Sequence, residues 1–200
     1  MTEREKMEKG MLYDPADEEL VKLRAKAHQL SKDYNDTYET EKEKRAAILT
    51  ELLPNGNNCY LQGPIQFDYG YLTEFGDDCY ANFNLVVLDC CPVKVGKNVM
   101  FGPNCSLMPP VHPMLAEERN GMVLADGSFY YREYAKPIVI GDGCWLASNV
   151  TVCGGVTIGE GTVIGAGSVV TRDIPSGVFA AGNPCRVIRR LTEKDKIFDL

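Results

Sequence analysis

Of the two histidines in the 200 residues, one stands where it could do chemistry. His112 lies in PPVHP, at a point where a regular pattern of residues gives way to an irregular stretch. Such a place is rigid on one side and open on the other. Imidazole is the side chain best matched to removing a proton near neutral pH, an effect worth ~10²–10⁴-fold in rate. His28 sits mid-helix among Lys, Gln and Ala, reads as a surface or packing residue, and is given no role. A catalytic zinc held by three imidazoles cannot be built within one chain from two histidines. The eight cysteines stand at 59, 79, 90, 91, 105, 144, 153 and 185 without a single CxxC pair, so no structural zinc is expected. Their default in a reducing compartment is that of small buried hydrophobes. Arg186, Arg189 and Arg190 crowd together in CRVIRR. Spacing alone leaves open whether they form an anion site or a solvated surface.

The elements that hold these residues follow from composition and period. With 44% hydrophobic and 24% charged residues the chain has the make-up of an ordinary globular protein, long enough for one main domain with a small appendage. No apolar run approaches a membrane span, and MTEREKMEKG has no apolar signal region, so a cytoplasmic location is expected. A net charge of −7 repels polyphosphate backbones, and nucleic acid is not an expected partner. From Thr2 to about Leu53 the sequence is helical in character. Asp17 caps a helix whose stripe is Leu20, Leu23, Ala27 and Leu30, and a second helix follows Tyr38 until Pro54, Asn55 and Gly56 end it. This segment, 1–54, reads as a cap packed on the remainder of the chain.

From Ile140 onward the sequence has a period of six without slips. Ile140, Leu146, Val152, Ile158, Ile164 and Val170 form an aliphatic column, each followed by a small residue: Gly141, Ala147, Cys153, Gly159, Gly165 and Thr171. A third column reads Cys144, Val150, Val156, Thr162, Ser168 and Ile174, mostly small or β-branched. Each hexad predicts one short strand and one tight turn. Three hexads close a triangular coil, coils stack into a parallel β-helix, and small residues take the corners where backbones crowd.

The period extends back through Val95, Phe101 and Leu107, and more weakly through Tyr69, Phe75, Ala81 and Val87, with a two-residue slip between the blocks. Cys79, Cys105 and Cys144 take small-column positions, which marks them as structural. Between His112 and Ile140 the pattern vanishes, which defines an excursion loop over 113–139. Loops of this length inside a repeat are usually functional, with a disordered insertion as the alternative, and the tyrosines here argue for order. The expected organisation is a helical segment 1–54, a β-helix 55–190 interrupted by that loop, and a tail 191–200.

DYGY at 68–71, YANFN at 80–84, VLD and CP within 87–92, HP at 112–113, AEERNG at 116–121 and AGNPCRVIRR at 181–190 occur in an order that resembles the maltose and galactoside O-acetyltransferases, hexapeptide-repeat acyltransferases. The likeness spans nearly the whole chain, including the helical segment before the β-helix. It implies a mainly β fold, a left-handed parallel β-helix with an N-terminal α-helical segment. It also implies a homotrimer with active sites between subunits, and acetyl-CoA lying in the groove between two β-helices as co-substrate, without a metal. Handedness comes from the resemblance and the six-residue period, since the general rule for parallel crossovers favours the right hand.

Carried over residue by residue, the resemblance makes His112 the general base that deprotonates the acceptor hydroxyl, with Asn82 beside it contacting the acceptor and the transition state. Asp14 and Asp68 fall near acceptor-holding positions, though Asp14 reads equally well as a helix-flanking aspartate. Where some members carry a further acceptor-binding aspartate this chain has Cys90, with Asp89 one residue before it as the candidate. On the donor side Ser148 matches a backbone amide facing the thioester, Ala166 lines the pantetheine path, and Thr171, Arg172, Arg186 and Arg189 match positions meeting the phosphates and adenine. Trp145, the single tryptophan, either walls the acetyl site or fills a corner of the β-helix. About nine residues of VLADGSFYYRE are extra relative to shorter bacterial members, which bears on acceptor choice.

The resulting expectation is acetyl transfer from acetyl-CoA directly to a hydroxyl of a sugar, with no covalent intermediate. The alternatives are the same chemistry on a xenobiotic, an amino sugar or an oligosaccharide, and a non-catalytic trimeric β-helix that binds CoA.

Overall fold

The computed structural model describes residues 1–56 and 58–198. Residues 199 and 200 of the expected tail lie outside the described residues. From Cys59 onward, short strands separated by corners stack into three parallel sheets, the faces of a triangular β-helix. The first face stacks Cys59–Leu61, Cys79–Ala81, Met100–Phe101, Trp145–Leu146, Val163–Ile164 and Val178–Ala181. The second stacks Ile65–Phe67, Leu85–Val87, Ser106–Met108, Thr151–Cys153 and Val169–Val170. The third stacks Thr73–Phe75, Val93–Val95, Ile138–Ile140 and Thr157–Ile158.

The aliphatic column is the inward column. Ile140 pairs with Ile158, Leu146 with Ile164 and Val152 with Val170, all buried in one continuous core. In the earlier coils Phe67, rather than Tyr69, pairs with Val87 and fills the inward place. Tyr69 is buried instead in a second cluster with Met7, Tyr13, Leu20, Cys90, Cys91 and Ala135, where the N-terminal segment packs against the coil. Cys79, Cys105 and Cys144 are buried, and their thiols donate to carbonyls of the next coil: Gly96 at 2.9 Å, Ala147 at 3.1 Å and Gly159 at 3.1 Å.

The corner between the first and second faces turns through a left-handed residue in each coil, Asn84, Asn104, Asn149 and Gly167. Asparagine tolerates this conformation and can also bond its neighbour. Asn84 Nδ2 donates to Asn104 Oδ1 at 2.8 Å, and Asn104 Nδ2 to Asn149 Oδ1 at 3.1 Å, giving a ladder along the edge.

The corner between the second and third faces is the irregular one. Phe67 to Phe75 and Val87 to Val95 each span eight residues rather than six, and the next passage is the excursion loop, all at this corner. The loop is shorter than the sequence suggests, because Ile138 is already paired with Val93 and buried. It holds a short helix, Ala116–Arg119, and a hairpin in which Met122–Val123 pairs with Phe129–Tyr130. Its base is a ribbon in which Pro110–Val111 runs antiparallel to Tyr134–Ala135.

The N-terminal segment contains three helices, α1 (Glu3–Glu8), α2 (Glu18–Asn35) and α3 (Lys42–Leu52), the last two being those read from the sequence and the first an addition to them. The break after α1 follows from Gly10, which adopts a positive φ and lies so close to the loop base that a Cβ there would stand 2.5 Å from the Ala135 carbonyl oxygen. Asp17 caps α2 by accepting from the Glu19 and Leu20 amides. This helix solves an edge problem: the lowest coil has no coil beneath it, and its backbone groups need partners. Asn35 donates to the Ile65 carbonyl at 2.8 Å and accepts from its amide at 2.7 Å, while Ser31 accepts from Phe67 N at 3.3 Å. Tyr34 donates to the Leu61 carbonyl, which Arg45 of α3 also reaches at 2.7 Å.

Replacing Asn35 with Ala leaves both Ile65 groups without these partners, so urea unfolding should show a loss of about 2 kcal/mol, with an Asn35→Asp variant intermediate.

Candidate active site

The enlarged corner between the second and third faces gathers most of the acceptor-side candidates. His112 directly follows the strand Pro110–Val111 and is exposed at the mouth of the excursion loop. Asp68 lies at the same corner two coils lower, half-buried, with Oδ1 3.2 Å from His28 Nε2. His28 therefore has a polar partner that sequence reasoning did not give it. Asp14 reaches this region because Tyr13 forms a β-bridge with Glu133 of the loop. Asp14 also closes a local turn, accepting from the Ala16 amide at 2.9 Å. A surface depression lined by Gly10, Leu12, Pro113, Met114, Glu118 and Tyr134 runs between the N-terminal segment and the loop beside His112.

Asp89 does not belong to this set. It is 0% exposed, with one oxygen accepting from Tyr69 N at 2.8 Å and the other from the Thr73 hydroxyl at 2.9 Å. Its carboxyl ties one coil to the strand below and cannot reach an acceptor, which corrects the reading from sequence. The neighbouring Cys90 is buried as well, packed in the second cluster with Tyr13, and burial pushes its thiol pKa up.

The donor-side candidates lie elsewhere, along the corner between the first and second faces. Ser148 and Ala166 belong to the stacked turns of this edge, at equivalent positions on successive coils about 4.8 Å apart in rise, and Asn82, which the resemblance sets beside His112 as an acceptor contact, lies on this edge too and not on the edge of His112 in the same chain. Asn82 Oδ1 accepts from the Phe83 amide at 2.8 Å, which leaves its Nδ2 to donate outward. Gly102 keeps the edge flat, since a Cβ there would stand 2.7 Å from the Ser148 amide nitrogen. Thr171 and Arg172 do not lie on this edge: they follow the second face into its corner with the third, exposed, at the upper end of the stack, while Cys185 N bonds the Val169 carbonyl at 2.8 Å and brings Arg186 to the upper end of the edge between the first and second faces. Arg186–Arg190 pairs antiparallel with Val178–Ala181 and is exposed throughout. Arg189 forms a bidentate ion pair with Asp195 at 2.6 and 2.9 Å. That pair ties the exposed strand to the turn after it.

Trp145 does not fill a corner. It projects outward from the first face, 50% exposed, in a column that runs Tyr60, Tyr80, Met100, Trp145, Val163 and Phe179. Tyr60 and Tyr80 stack with ring centroids 6.0 Å apart. The third face carries Glu74, Lys94, Val139 and Thr157 in the equivalent places. The apolar outward column was not picked out from the sequence, although its signal was present: the first face puts a large apolar residue immediately before the inward one in every coil, whereas the other two faces do so only in some.

The two sets of candidates thus sit on adjacent edges of one prism with the second face between them. His112, Asp14 and Asp68 share one edge; Asn82, Ser148 and Ala166 share the other.

Comparison with known proteins bears on both halves. Residues 6–56 match the maltose acetyltransferase hexapeptide capping motif, and residues 137–172 match the bacterial transferase hexapeptide of six repeats. The galactoside O-acetyltransferase of Escherichia coli K12 is 39% identical over 98% of this chain and 92% of its own length. A maltose O-acetyltransferase from Clostridium difficile 630 superposes with a TM-score of 0.88 at 42% identity, covering 96% of this chain and 99% of that one. A galactoside acetyltransferase solved in complex with coenzyme A superposes with a TM-score of 0.89 at 38% identity, covering 100% of this chain and 96% of that one. Among the described residues no helix is long and apolar enough to cross a membrane.

The burial of Asp89 has a consequence for stability. Loss of solvent, partly offset by the Tyr69, Gly70 and Thr73 hydrogen bonds, pushes its carboxyl up to about 7 from an ordinary 3.8. Across that window the folded chain retains a proton that the unfolded chain has released, so stability contributed by this group falls as pH rises from about 4 to about 7. Denaturation midpoints followed over that range should decline in the native chain and lose that component of the slope in Asp89→Asn.

Proposed function

Because the chain belongs to the maltose and galactoside O-acetyltransferase family of hexapeptide-repeat transferases, we propose that it moves an acetyl group from acetyl-CoA to a hydroxyl of a sugar, with His112 as general base and the active sites shared between copies in a homotrimer. The observation that carries this reading is the division of the candidate residues between two edges of one prism. His112, with Asp14 and Asp68, forms an acceptor half-site; Ser148 and Ala166, leading up to Arg186, form a donor half-site, and Asn82 on that same edge is the group that meets the acceptor held by the neighbouring copy. A second copy whose donor edge meets the first copy's acceptor edge unites them.

Two exposed apolar surfaces support the same arrangement. One is the outward column of the first face, from Tyr60 to Phe179; the other is the excursion loop, with Met114 at 88%, Val123 at 67% and Phe129 at 49% exposed. Contiguous apolar surface of this kind marks an interface, and association through one face and one edge closes into a ring of three.

In the assembled site the exposed His112 imidazole takes the proton of the acceptor hydroxyl, and the oxygen attacks the thioester carbonyl. The C–O bond forms as the C–S bond breaks, and the proton passes from the imidazolium to the departing sulfur. Asn82 Nδ2 and the Ser148 amide are the donors available to the developing oxyanion, a contribution typically worth ~10²–10³-fold per donor. Arg186 at the upper end of the donor edge, and Thr171 and Arg172 at the upper end of the neighbouring one, are the groups for the donor's anionic end. Arg189 joins them if its pair with Asp195 opens. The acceptor is a sugar of the glucosyl or galactosyl kind, held by Asp14 and Asp68.

The test is subunit complementation. His112→Ala and Asn82→Ala, each mixed only with itself, should lose at least ~10²-fold in sugar-dependent release of CoA. Unfolding and reassembling them together should restore about one quarter of the sites, since one interface in four then pairs two intact halves. Undiminished turnover by His112→Ala, or no recovery on mixing, rules the reading out.

A further inference from the structure

Where the cap meets the lower end of the first face, the two leave a cavity of about 650 Å³, a size typical of small-molecule sites. Its walls include Arg45, Lys42 and Leu49 of α3, Glu39 and Thr40 of the connection from α2, and Tyr60 of the lowest coil. None of these residues lies on the acceptor or the donor edge. The guanidinium of Arg45 is the unusual member. Arg45 is 7% exposed, and arginine is rarely enclosed without a carboxylate beside it. Nη2 donates to the Tyr34 hydroxyl at 2.7 Å and to the Leu61 and Gln62 carbonyls at 2.7 and 3.0 Å, and Nη1 donates to the Thr37 hydroxyl at 3.3 Å. The Tyr34 ring centroid lies 4.2 Å from the guanidinium carbon. All of these partners are neutral.

The nearby carboxylates are committed elsewhere. Glu39 accepts from Gln62 Nε2, and Glu41 accepts from the Tyr38 amide at 2.7 Å and pairs with Lys44 at 3.4 Å. Among the described residues no carboxylate pairs with Arg45 or with Lys42. Nor, among those residues, does any side-chain nitrogen or oxygen stand fully buried without a partner. Arg45 Nε makes no hydrogen bond there, so it meets open space, and the open space beside Arg45 is the cavity. A cation enclosed among neutral groups, with one N–H left toward a cavity, is an arrangement that an anion completes. The first turn of α3 adds to it: Lys42 opens the helix, and the side chain of Glu41, its N-cap residue, bonds none of the helix amides.

Tyr60 sets the rest of the ligand. Its ring stacks with that of Tyr80 on the coil above, centroids 6.0 Å apart and planes 2° from parallel. The strand of Tyr60 is the lowest of the first face, so no ring of the stack follows beneath it, and the stack ends at the cavity that Tyr60 lines. From this arrangement we propose that the cavity is a binding site for a small aryl carboxylate. Its carboxylate accepts from Arg45 Nε, with Lys42 as the second cation, and its ring continues the Tyr80–Tyr60 stack between Ala46 and Leu49. The site goes beyond acetyl transfer and does not depend on the role of His112. Occupancy joins α3 to the lowest coil, so the ligand stabilises the fold in proportion to its binding.

The experiment titrates the full-length protein by calorimetry with benzoate, with benzamide, which keeps the shape without the charge, and with cyclohexanecarboxylate, which keeps the charge without the aromatic ring. The thermal midpoint is followed alongside. Benzoate should bind saturably at one site per chain and raise the midpoint, benzamide should bind at least ~10-fold more weakly, and cyclohexanecarboxylate about threefold more weakly. Ala46→Phe places a ring in the cavity from an exposed position of α3 and should abolish benzoate binding while the midpoint without ligand stays unchanged. Arg45→Gln should weaken benzoate by ~10-fold or more. Should Arg45→Gln not fold, because Arg45 also closes the lowest coil, Ala46→Phe and the benzamide comparison decide. Absence of saturable benzoate binding, equal affinity for benzoate and benzamide, or undiminished binding by Ala46→Phe each overturns the proposal. Cyclohexanecarboxylate binding as tightly as benzoate overturns the assignment of an aryl ligand.

Discussion

Each coil of this protein depends for its backbone hydrogen bonds on the coil above and the coil below. A two-stranded or isolated coil could satisfy neither edge. That dependence dictates where the helices go. The lowest coil is closed by side chains of α2, with Ser31 and Asn35 on one stripe meeting Phe67 and Ile65, and by Tyr34 and Arg45 converging on the Leu61 carbonyl. Farther along the same stripe Arg24 meets the Tyr69 hydroxyl and His28 meets Asp68. The helix that terminates the stack is therefore also the helix that borders the acceptor-side corner.

Stacking tolerates irregularity only where no ladder runs. Within a face, one extra residue would turn every later side chain inside out. At a corner, insertion costs only the closure of a loop, which grows slowly with length. All three long passages of this chain fall at the same corner, between the second and third faces. Asp68, the Asp89–Cys91 turn and His112 consequently rise one above another there. The opposite behaviour appears between the first and second faces, where the corner stays tight. Asparagine bonds to asparagine from coil to coil, and small residues such as Gly102 and Ala166 keep the edge smooth enough for an extended ligand to lie along it. One prism thus carries a rough edge suited to a compact acceptor and a smooth edge suited to a long donor.

Charge follows the same division. The chain is acidic overall, at −7, yet its arginines concentrate at the upper end, in the exposed strand Arg186–Arg190 and at Arg172. An anionic ligand approaching an acidic protein is favoured at that end. Asp195 holds Arg189 in place by a bidentate pair, and that ion pair keeps the Asp195 carboxyl low, at about 2.

The amino-acid sequence by itself determined the repeat. Aliphatic residues six apart at Ile140, Leu146 and Val152 admit no other arrangement that buries them all, because strand, turn and strand must recur with the same length for identical side chains to meet. It also determined the cap on α2 and the burial of Cys79, Cys105 and Cys144, which follow from local rules. His112 was legible because it is the one histidine at the point where the period fails, and the winding sense came only with the family resemblance. The tertiary structure alone decided the rest. Asp89 looked like an acceptor ligand beside Cys90 and is instead enclosed, because its distance from solvent depends on a loop and a helix remote in sequence. Phe67, not Tyr69, points inward, because a two-residue expansion of a corner shifts which residue completes the strand. Tyr13 and Glu133 meet across 120 positions, a pairing no local pattern encodes, since cross-strand contacts are set by how the ribbon folds back and not by the residues between.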